Sequence, residues 1–192
     1  YANVPADLVA NVVEPGARLK ASYADRKVSL HRVVRPSLSY TYFNMDDPVV
    51  GGYAPDRVAL RRAITMGFDV PSLVRVWLQD QAIVATQPIP PNVLGHDPKL
   101  DVRAPYDPAT ARALLDRFGY KDRDGDGWRE LPDGKPFTLS MGSTPTNRDR
   151  ERDELWKRSM KDLGIRIDFV KQKFPDLLKM GRAGKLQMWP VG

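Results

Sequence analysis

The 192-residue chain reads as an α/β protein, with mixed layers of helix and sheet, on three observations. From Phe137 onward the candidate elements run strand, helix, strand, helix, strand, the order that builds α/β layers. Apolar stripes of helical period are bracketed by start and stop residues, most clearly in "YDPATARALLDRFGY". Short β-rich runs with alternating apolar residues occupy the gaps between those stripes.

Taken in order, the first strand is "LSYTYFN", Leu38 to Asn44, where alternation puts Tyr40 and Tyr42 on the face opposite Thr41 and Phe43. A helix started by Pro55 follows, with Ala59, Leu60, Ala63, Ile64, Gly67 and Phe68 as its apolar face. Asp69 caps the next helical segment, whose stripe is Val70, Leu73, Val74, Trp77 and Leu78. The proline-rich "TQPIPPNVLGHDP" predicts an ordered surface loop rather than a linker. Asp107 then caps a helix with Pro108 at its first position, Ala111, Leu114, Leu115 and Phe118 as its stripe, and Gly119 as its stop. "FTLSM" (Phe137 to Met141) is the second strand. A charged helix with Leu155, Trp156, Met160 and Leu163 on one face ends at Gly164. "IRIDFV" (Ile165 to Val170) is the third strand, "FPDLLKMGRAG" a short helix, and "KLQMW" the last strand.

The segment "KDRDGDGWRELPDGK" admits two readings. Asp122, Asp124, Asp126 and Gly127 fall where a calcium loop places its first ligands and its sharp-turn glycine, and Asp133 where its closing carboxylate would sit. Asp and Gly are also the residues of tight turns, through local hydrogen bonds and positive φ. The flanks favour turns: Gly119 ends the incoming helix early, and Pro132, Gly134 and Pro136 forbid a helix on leaving. "DGDG" and "PDG" then frame a small hairpin around "WREL". A calcium-stabilised structural or interaction module stays as the alternative.

Composition excludes several classes. Hydrophobic residues make up 42% and charged residues 28%, a soluble globular balance. No apolar run approaches the roughly 20 residues of a membrane span, so a membrane-spanning chain is not expected. With no cysteine, disulfides, thiolate catalysis and cysteine zinc sites are out. The net charge is +6, but 24 acidic residues are interspersed with 30 basic ones, and "NRDRERDELWKR" alternates in sign like a solvated helix face, so nucleic acid is not an expected partner. His31 and His96 have no ligand-spaced partners, and no phosphate-loop, dinucleotide, zincin or nucleophile-elbow motif occurs. We therefore expect no catalysis and no cofactor. The start at Tyr1, without an initiator Met or a basic-then-apolar leader, leads us to expect a mature, processed or excised piece.

Several stretches in sequence resemble landmarks of one family. "YTYFNMDDP", "DRVALRRAITMGFDVPSLVRVW", "IPP", "YDPATARALLDRFGY", "DRDGDGWRELPDGKPFTL" and "LWKRSMKDLGIRIDFV" are similar, in order and spacing, to the family 5 extracellular solute-binding proteins, the dipeptide, oligopeptide and nickel receptors of ABC importers. One departure is Asp69–Val70, where the family usually has Asp-Arg. The resemblance implies a two-lobed periplasmic-binding-protein-like receptor of type II, periplasmic or extracellular, that closes on a peptide or similar small solute. It implies permease and ATPase partners. Residues 38–192 would be most of the second lobe, incomplete at its C-terminal end, and 1–37 a crossover segment from an absent first lobe. The family's acidic residue that pairs with a peptide amino group would fall beyond Gly192. Ligands of α/β lobes sit outside the carboxyl ends of strands, which together with the resemblance makes Arg148, Phe174, Arg182 and Trp189 the candidate cleft wall. The competing reading has the two arginines solvated and the two aromatics packed.

Overall fold

The computed structural model describes residues 2–5, 8–14, 16 and 18–192. The chain divides into two units, Tyr1–Leu38 with Val70–Arg103, and Ser39–Asp69 with Ala104–Gly192. Of the expected crossover segment 1–37, Tyr1, Ala6, Asp7, Pro15 and Ala17 lie outside the described residues.

The smaller unit contains α1 (Val9–Val12), a hairpin of β1 (Val13–Glu14) and β2 (Arg18–Leu19), and the single turn α2 (Ala21–Ala24). The helix α3 (Pro55–Gly67) belongs to the larger unit, and the second stretch of the smaller unit opens on the short turn α4 (Val70–Ser72). The single helix expected across Val70 to Leu78 is instead this turn followed by a π-helical turn, Leu73–Trp77. Leu78 N–H reaches back five residues to the Leu73 carbonyl at 3.0 Å. Three β-branched residues (Val70, Val74 and Val76) and Pro71 make this a poor stretch for regular α-helix, and Gln79 and Asp80 end it at φ of 50° and 57°. The proline-rich loop is ordered: the buried Gln87 side chain clamps both main-chain groups of Asp97, and His96 Nδ1 lies 2.8 Å from the Ile89 carbonyl.

The larger unit is built on a four-stranded mixed sheet of β3 (Tyr40–Phe43), β4 (Thr138–Ser143), β5 (Arg166–Lys171) and β6 (Met188–Val191), in the order β3-β6-β4-β5. β6 pairs antiparallel with β3 and parallel with β4, and β4 pairs parallel with β5 over six residues. The helix α5 (Pro108–Arg117) precedes β4, α6 (Asn147–Asp162) links β4 to β5, and α7 (Phe174–Arg182) links β5 to β6. The strand–helix–strand–helix–strand order expected from Phe137 onward is what forms.

Strand alternation sorts side chains onto two faces. Leu139, Met141 and Met188 face α6, where Trp156, Met160 and Leu163 are buried as the helical period predicts. Gly142 and Trp189 face α7 and pack with Leu177 and Leu186. On the α6 side, α3 buries Ala59, Leu60, Ala63, Ile64 and Gly67, and Phe68 stacks on Trp156 with ring centroids 3.8 Å apart. α5 starts as its sequence requires: the Asp107 carboxylate accepts from Thr110 N at 2.9 Å and Oγ1 at 2.6 Å, bonds that hold its carboxyl below the usual range. Tyr120, fully buried just beyond α5, donates to the Asp56 carbonyl at 3.2 Å, and burial pushes its phenol up to about 12.

The last strand departs from the sequence reading. It runs over Met188–Val191, not over "KLQMW", because Lys185 to Gln187 are used in the turn out of α7: Lys185 N–H bonds the Met180 carbonyl and the Gln187 side chain is needed elsewhere. Gln187 Oε1 accepts from Ser140 N at 2.9 Å while its Nε2 donates to Asp47 Oδ1 at 3.1 Å. A proline in an inner strand normally breaks a ladder. Here the ladder to β4 is confined to Met141↔Met188, and Pro190 lies beyond it.

Gly142 is required by close approach: a Cβ there would lie 2.9 Å from Trp189 Cδ1 and 3.0 Å from Leu186 Cδ1. Gly142→Ala is expected to destabilise by about 1–3 kcal/mol through overpacking, read as a lowered urea midpoint. An unchanged midpoint would show that the indole has room to move.

Candidate functional site

α6 and α7 leave the sheet from neighbouring strands and lie on opposite faces, so the carboxyl end of β4 is the point where the connections diverge. In open α/β sheets this is where ligands bind. Three features gather there.

The first is a buried ionic cluster. Ser143, the last residue of β4, is fully buried and donates to Asp153 Oδ2 at 2.7 Å. Lys171, the last residue of β5, donates to the same carboxylate and to Ser143 Oγ at 3.1 Å. Arg152 lies 3.8 Å from Asp153 and 3.3 Å from Asp149. Asp149 in turn accepts from Thr144 N at 3.2 Å, and its own N–H is capped by Thr146 Oγ1 at 3.1 Å. The side chain of Asp153 is 3% exposed and that of Lys171 39%, so Lys171 is the member that reaches solvent. The spacing of Ser143 and Lys171 would suit a nucleophile and its base. Yet the hydroxyl is sealed from solvent and the ammonium is engaged by Asp153, so the arrangement holds the strand ends together instead of presenting a reactive group.

The second is a depression of about 340 Å³ beside this cluster, between α6 and the open edge of β5, lined by Thr146, Arg150, Lys157, Phe169 and Lys171 among others. The ammonium groups of Lys157 and Lys171 stand 5.9 and 5.5 Å from the centroid of the Phe169 ring. A larger, more open depression of about 470 Å³ lies among Arg112, Asp116, Arg129 and Lys161, where α5 and α6 end. That is the amino end of the strands. There Arg129 closes the structure by donating to the Leu163 carbonyl at 2.7 Å.

The third is aromatic, on the α7 face. Phe174 opens α7 and is 58% exposed, and its ring is 5.8 Å from that of Trp189. Trp189 itself is 6% exposed, held edge-on by Tyr42 at 6.4 Å and covered by Gly181. Burial pushes the Tyr42 phenol upward. The structure thus brings Phe174 and Trp189 together, with Phe174 as the part that meets solvent. It places Arg148, half-buried, in the first turn of α6 on the other layer, and Arg182, exposed, at the far end of α7.

The aspartate-rich segment forms turns. Asp122 accepts from the N–H groups of Gly125 and Gly127 at 2.7 and 2.9 Å, Asp124 from Asp126 N at 3.1 Å, and Asp126 from Trp128 N at 2.8 Å and from Arg166. The main chain bridges Lys121 to Glu130 and Glu130 to Pro136. Carboxylate oxygens of Asp122, Asp124, Asp126 and the buried Glu130 do lie within 4.8 Å of one another. Asp133 is not among them: the chain reverses at Gly134, and Asp133 pairs with Lys135 at 2.8 Å, a bond that holds its carboxyl low. The expected calcium set of Asp122, Asp124, Asp126 and Asp133 is therefore not assembled.

Comparison with known proteins fits this architecture. The family model for bacterial extracellular solute-binding proteins, family 5 Middle, matches residues 6–192. The chain belongs to this family. Among its relatives, the di/tripeptide-binding protein 2 of Pseudomonas aeruginosa is 33% identical over 135 residues, which is 69% of this chain and 23% of the relative. Heme-binding protein A of Haemophilus influenzae is 24% identical over 189 residues, 97% of this chain and 32% of the relative. The chain thus spans about a quarter to a third of the length of these curated relatives. An oligopeptide-binding protein of Thermotoga maritima superposes with a TM-score of 0.71 at 19% identity, over 99% of this chain and 38% of that one. AppA of Bacillus subtilis, solved with a nonapeptide, gives a TM-score of 0.70 at 23% identity, over 82% and 31%. The fold is that of periplasmic binding proteins of type II.

Sequence reasoning missed Asp153, which it placed on a solvated face. The signal was present: Asp153, Trp156, Met160 and Leu163 are spaced three, four and three apart, so the carboxylate sits on the buried stripe.

Asp153→Leu, which leaves Lys171 and the buried Ser143 hydroxyl without their carboxylate, is expected to cost about 3–5 kcal/mol. Lys171→Met should cost less, about 1–2 kcal/mol, because Ser143 and Arg152 still face Asp153. Urea unfolding measures both, and the reverse order would refute the assignment of Asp153 as the centre of the cluster. For the turn segment, Asp122→Ala should cost about 1–2 kcal/mol through two lost acceptor bonds. A calcium chelator should leave the melting temperature of the parent chain within about a degree; a shift of several degrees would restore the metal reading.

Proposed function

We propose that this chain is part of a periplasmic or extracellular receptor that delivers a peptide or similar small solute to an ABC importer. In this reading residues 38–192 are most of the second lobe, 1–37 are the crossover from the first, and the permease and ATPase of the importer are the partners. Function is binding by lobe closure, without catalysis or a cofactor: a hinge brings two lobes over the ligand, polar groups satisfy its ends, and aromatics cover the rest. The observation that carries the reading is the family match over residues 6–192. The site geometry supports it, because solvent-facing groups such as Phe174, Arg150 and Lys171 collect at the carboxyl end of the parallel strands while Ser143 and Asp153 are buried. Peptide is the favoured solute on the strength of the di/tripeptide-binding relative.

In the wall so proposed, Phe174 is the group a ligand meets and Trp189 backs it; Arg148, in the first turn of α6 on the other layer, and Arg182, at the far end of α7, are its outlying charged members. Calorimetry of the full-length receptor with dialanine and trialanine tests this. Phe174→Ala is expected to weaken binding about 5- to 30-fold, equivalent to 1–2 kcal/mol, with the fold kept by circular dichroism. The 192-residue chain alone should bind neither peptide measurably, because half the site is absent. Tight stoichiometric binding by that chain, or an unchanged affinity in Phe174→Ala, would count against the proposed wall.

A further inference from the structure

The depression beside the Ser143–Asp153–Lys171 cluster has a chemistry of its own. About 340 Å³ in volume, it lies between one stripe of α6 and the edge strand β5. Arg150, Glu154 and Lys157 are spaced four and three apart, so they share one face of α6 along its rim. Phe169, which pairs in register with Met141, supplies its apolar lining, and the ammonium groups of Lys157 and Lys171 are held 5.9 and 5.5 Å from the centre of that ring.

Three cations thus line one concavity with two carboxylates, and the carboxylates are not placed to cancel them. Asp153 is 3% exposed and is engaged by Ser143 and Lys171. Glu154 pairs with Lys157 at 2.8 Å, but both side chains are more than half exposed, and such a pair is weak. Arg150 is exposed and, among the described residues, has no carboxylate partner. Lys171 is the member set for a ligand. An ammonium has three donors. Two of them go to Asp153 and, at 3.1 Å, to Ser143 Oγ, which leaves the third for the solvent side that Lys171 lines. Because buried partners hold this ammonium before any ligand arrives, little further ordering is needed to bind one.

The depression also lies within reach of the proposed wall. Lys171 ends β5 and Phe174 opens α7 three residues later, so their Cα atoms are no more than roughly 11 Å apart. We propose that the depression receives an acidic side chain of the solute that rests on Phe174, with its methylenes against Phe169 and its carboxylate among Arg150, Lys157 and Lys171. The solute class is then a short peptide carrying glutamate or a like acidic residue, taken in preference to a neutral one. An apolar ring and a guanidinium fork presented together suit a carboxylate on an aliphatic stem better than a free inorganic anion. This inference rests on the reading of the chain as part of a peptide receptor.

Calorimetry of the full-length receptor with two matched pairs of peptides tests it: alanylglutamate against alanylglutamine, and alanyl-glutamyl-alanine against alanyl-glutaminyl-alanine. Each pair keeps the termini and the side-chain length and changes only the charge of the side chain. The expected result is binding on the order of tenfold tighter for the glutamate member of at least one pair. That advantage should fall to about twofold or less when Arg150→Gln and Lys157→Gln are combined. Both residues are exposed, and circular dichroism checks that the fold is kept; should the double variant fail to fold, the two single variants carry the comparison. Equal affinity within both pairs overturns the subsite and leaves the peptide reading standing. So does an advantage that survives the substitutions, since the charge is then recognised elsewhere. Absence of binding by all four peptides overturns the peptide reading and the subsite with it.

Discussion

The sheet of the larger unit depends on a four-residue strand that comes late in the chain and is seated in the middle. β6 lies between β3 and β4, so Tyr40 meets Val191 across about 150 residues of intervening sequence. Closing so long a loop carries an entropic cost, and β6 has little regular ladder on one side to offset it. Its main chain registers with β4 at Met141↔Met188 alone. Two side chains supply what the ladder lacks. Gln187 continues the hydrogen bonding onto Ser140 and Asp47, and Trp189 fills the space between the sheet and α7 that Gly142 and Gly181 leave open. Removing β6 would strand β3, because β3 has no other partner in the sheet.

The same dependence explains the loop after β3. Asp47 accepts from the N–H groups of Val49 and Val50 as well as from Gln187, and Arg57 and Arg61 of α3 donate to the carbonyls of those two valines. A turn that looks local in sequence is thereby tied to the last strand and to the first helix of the unit. At the opposite end of the sheet, the Ser143–Asp153–Lys171 cluster joins β4, α6 and β5. Replacing a buried ion pair with apolar residues is often neutral or stabilising, so its presence is weak evidence for stability. Its geometry does fix where β4 ends and α6 begins, and hence the direction in which Arg150, Lys157 and Lys171 project.

Much of this was legible in the sequence. The helix of Asp107 to Gly119 carries its cap, its first-turn proline, its stripe and its stop within thirteen residues, all local signals, and it forms as read. The stripes of α3 and α6 were legible for the same reason, since helical period is a property of neighbouring residues. The edges of β4 and β5 shifted by one or two residues, as strand ends are set by the partner strand. The candidate wall was legible only in part. Phe174 and Trp189 do meet, but neither their contact nor the layer that separates them from Arg148 follows from spacing. The helix expected after Asp69 gave way to a π-helical turn, where β-branched residues weakened a pattern that apolar period alone had suggested.

By itself, then, the sequence determined most helices and strands of the larger unit, their apolar faces, the turn chemistry of Asp122 to Lys135, and the family landmarks. All of these depend on residues within about ten positions of one another. Only the tertiary structure decided the strand order, the insertion of β6, the burial of Asp153 and the exclusion of Asp133 from the acidic group. The first three depend on which distant residue arrives opposite, as when Lys171 meets Asp153; the last depends on how the chain reverses at Gly134, where Asp133 pairs with Lys135. A carboxylate has the same sequence signature whether it caps a turn, sits in water or is buried against a lysine. The partner brought to it by the fold makes the difference.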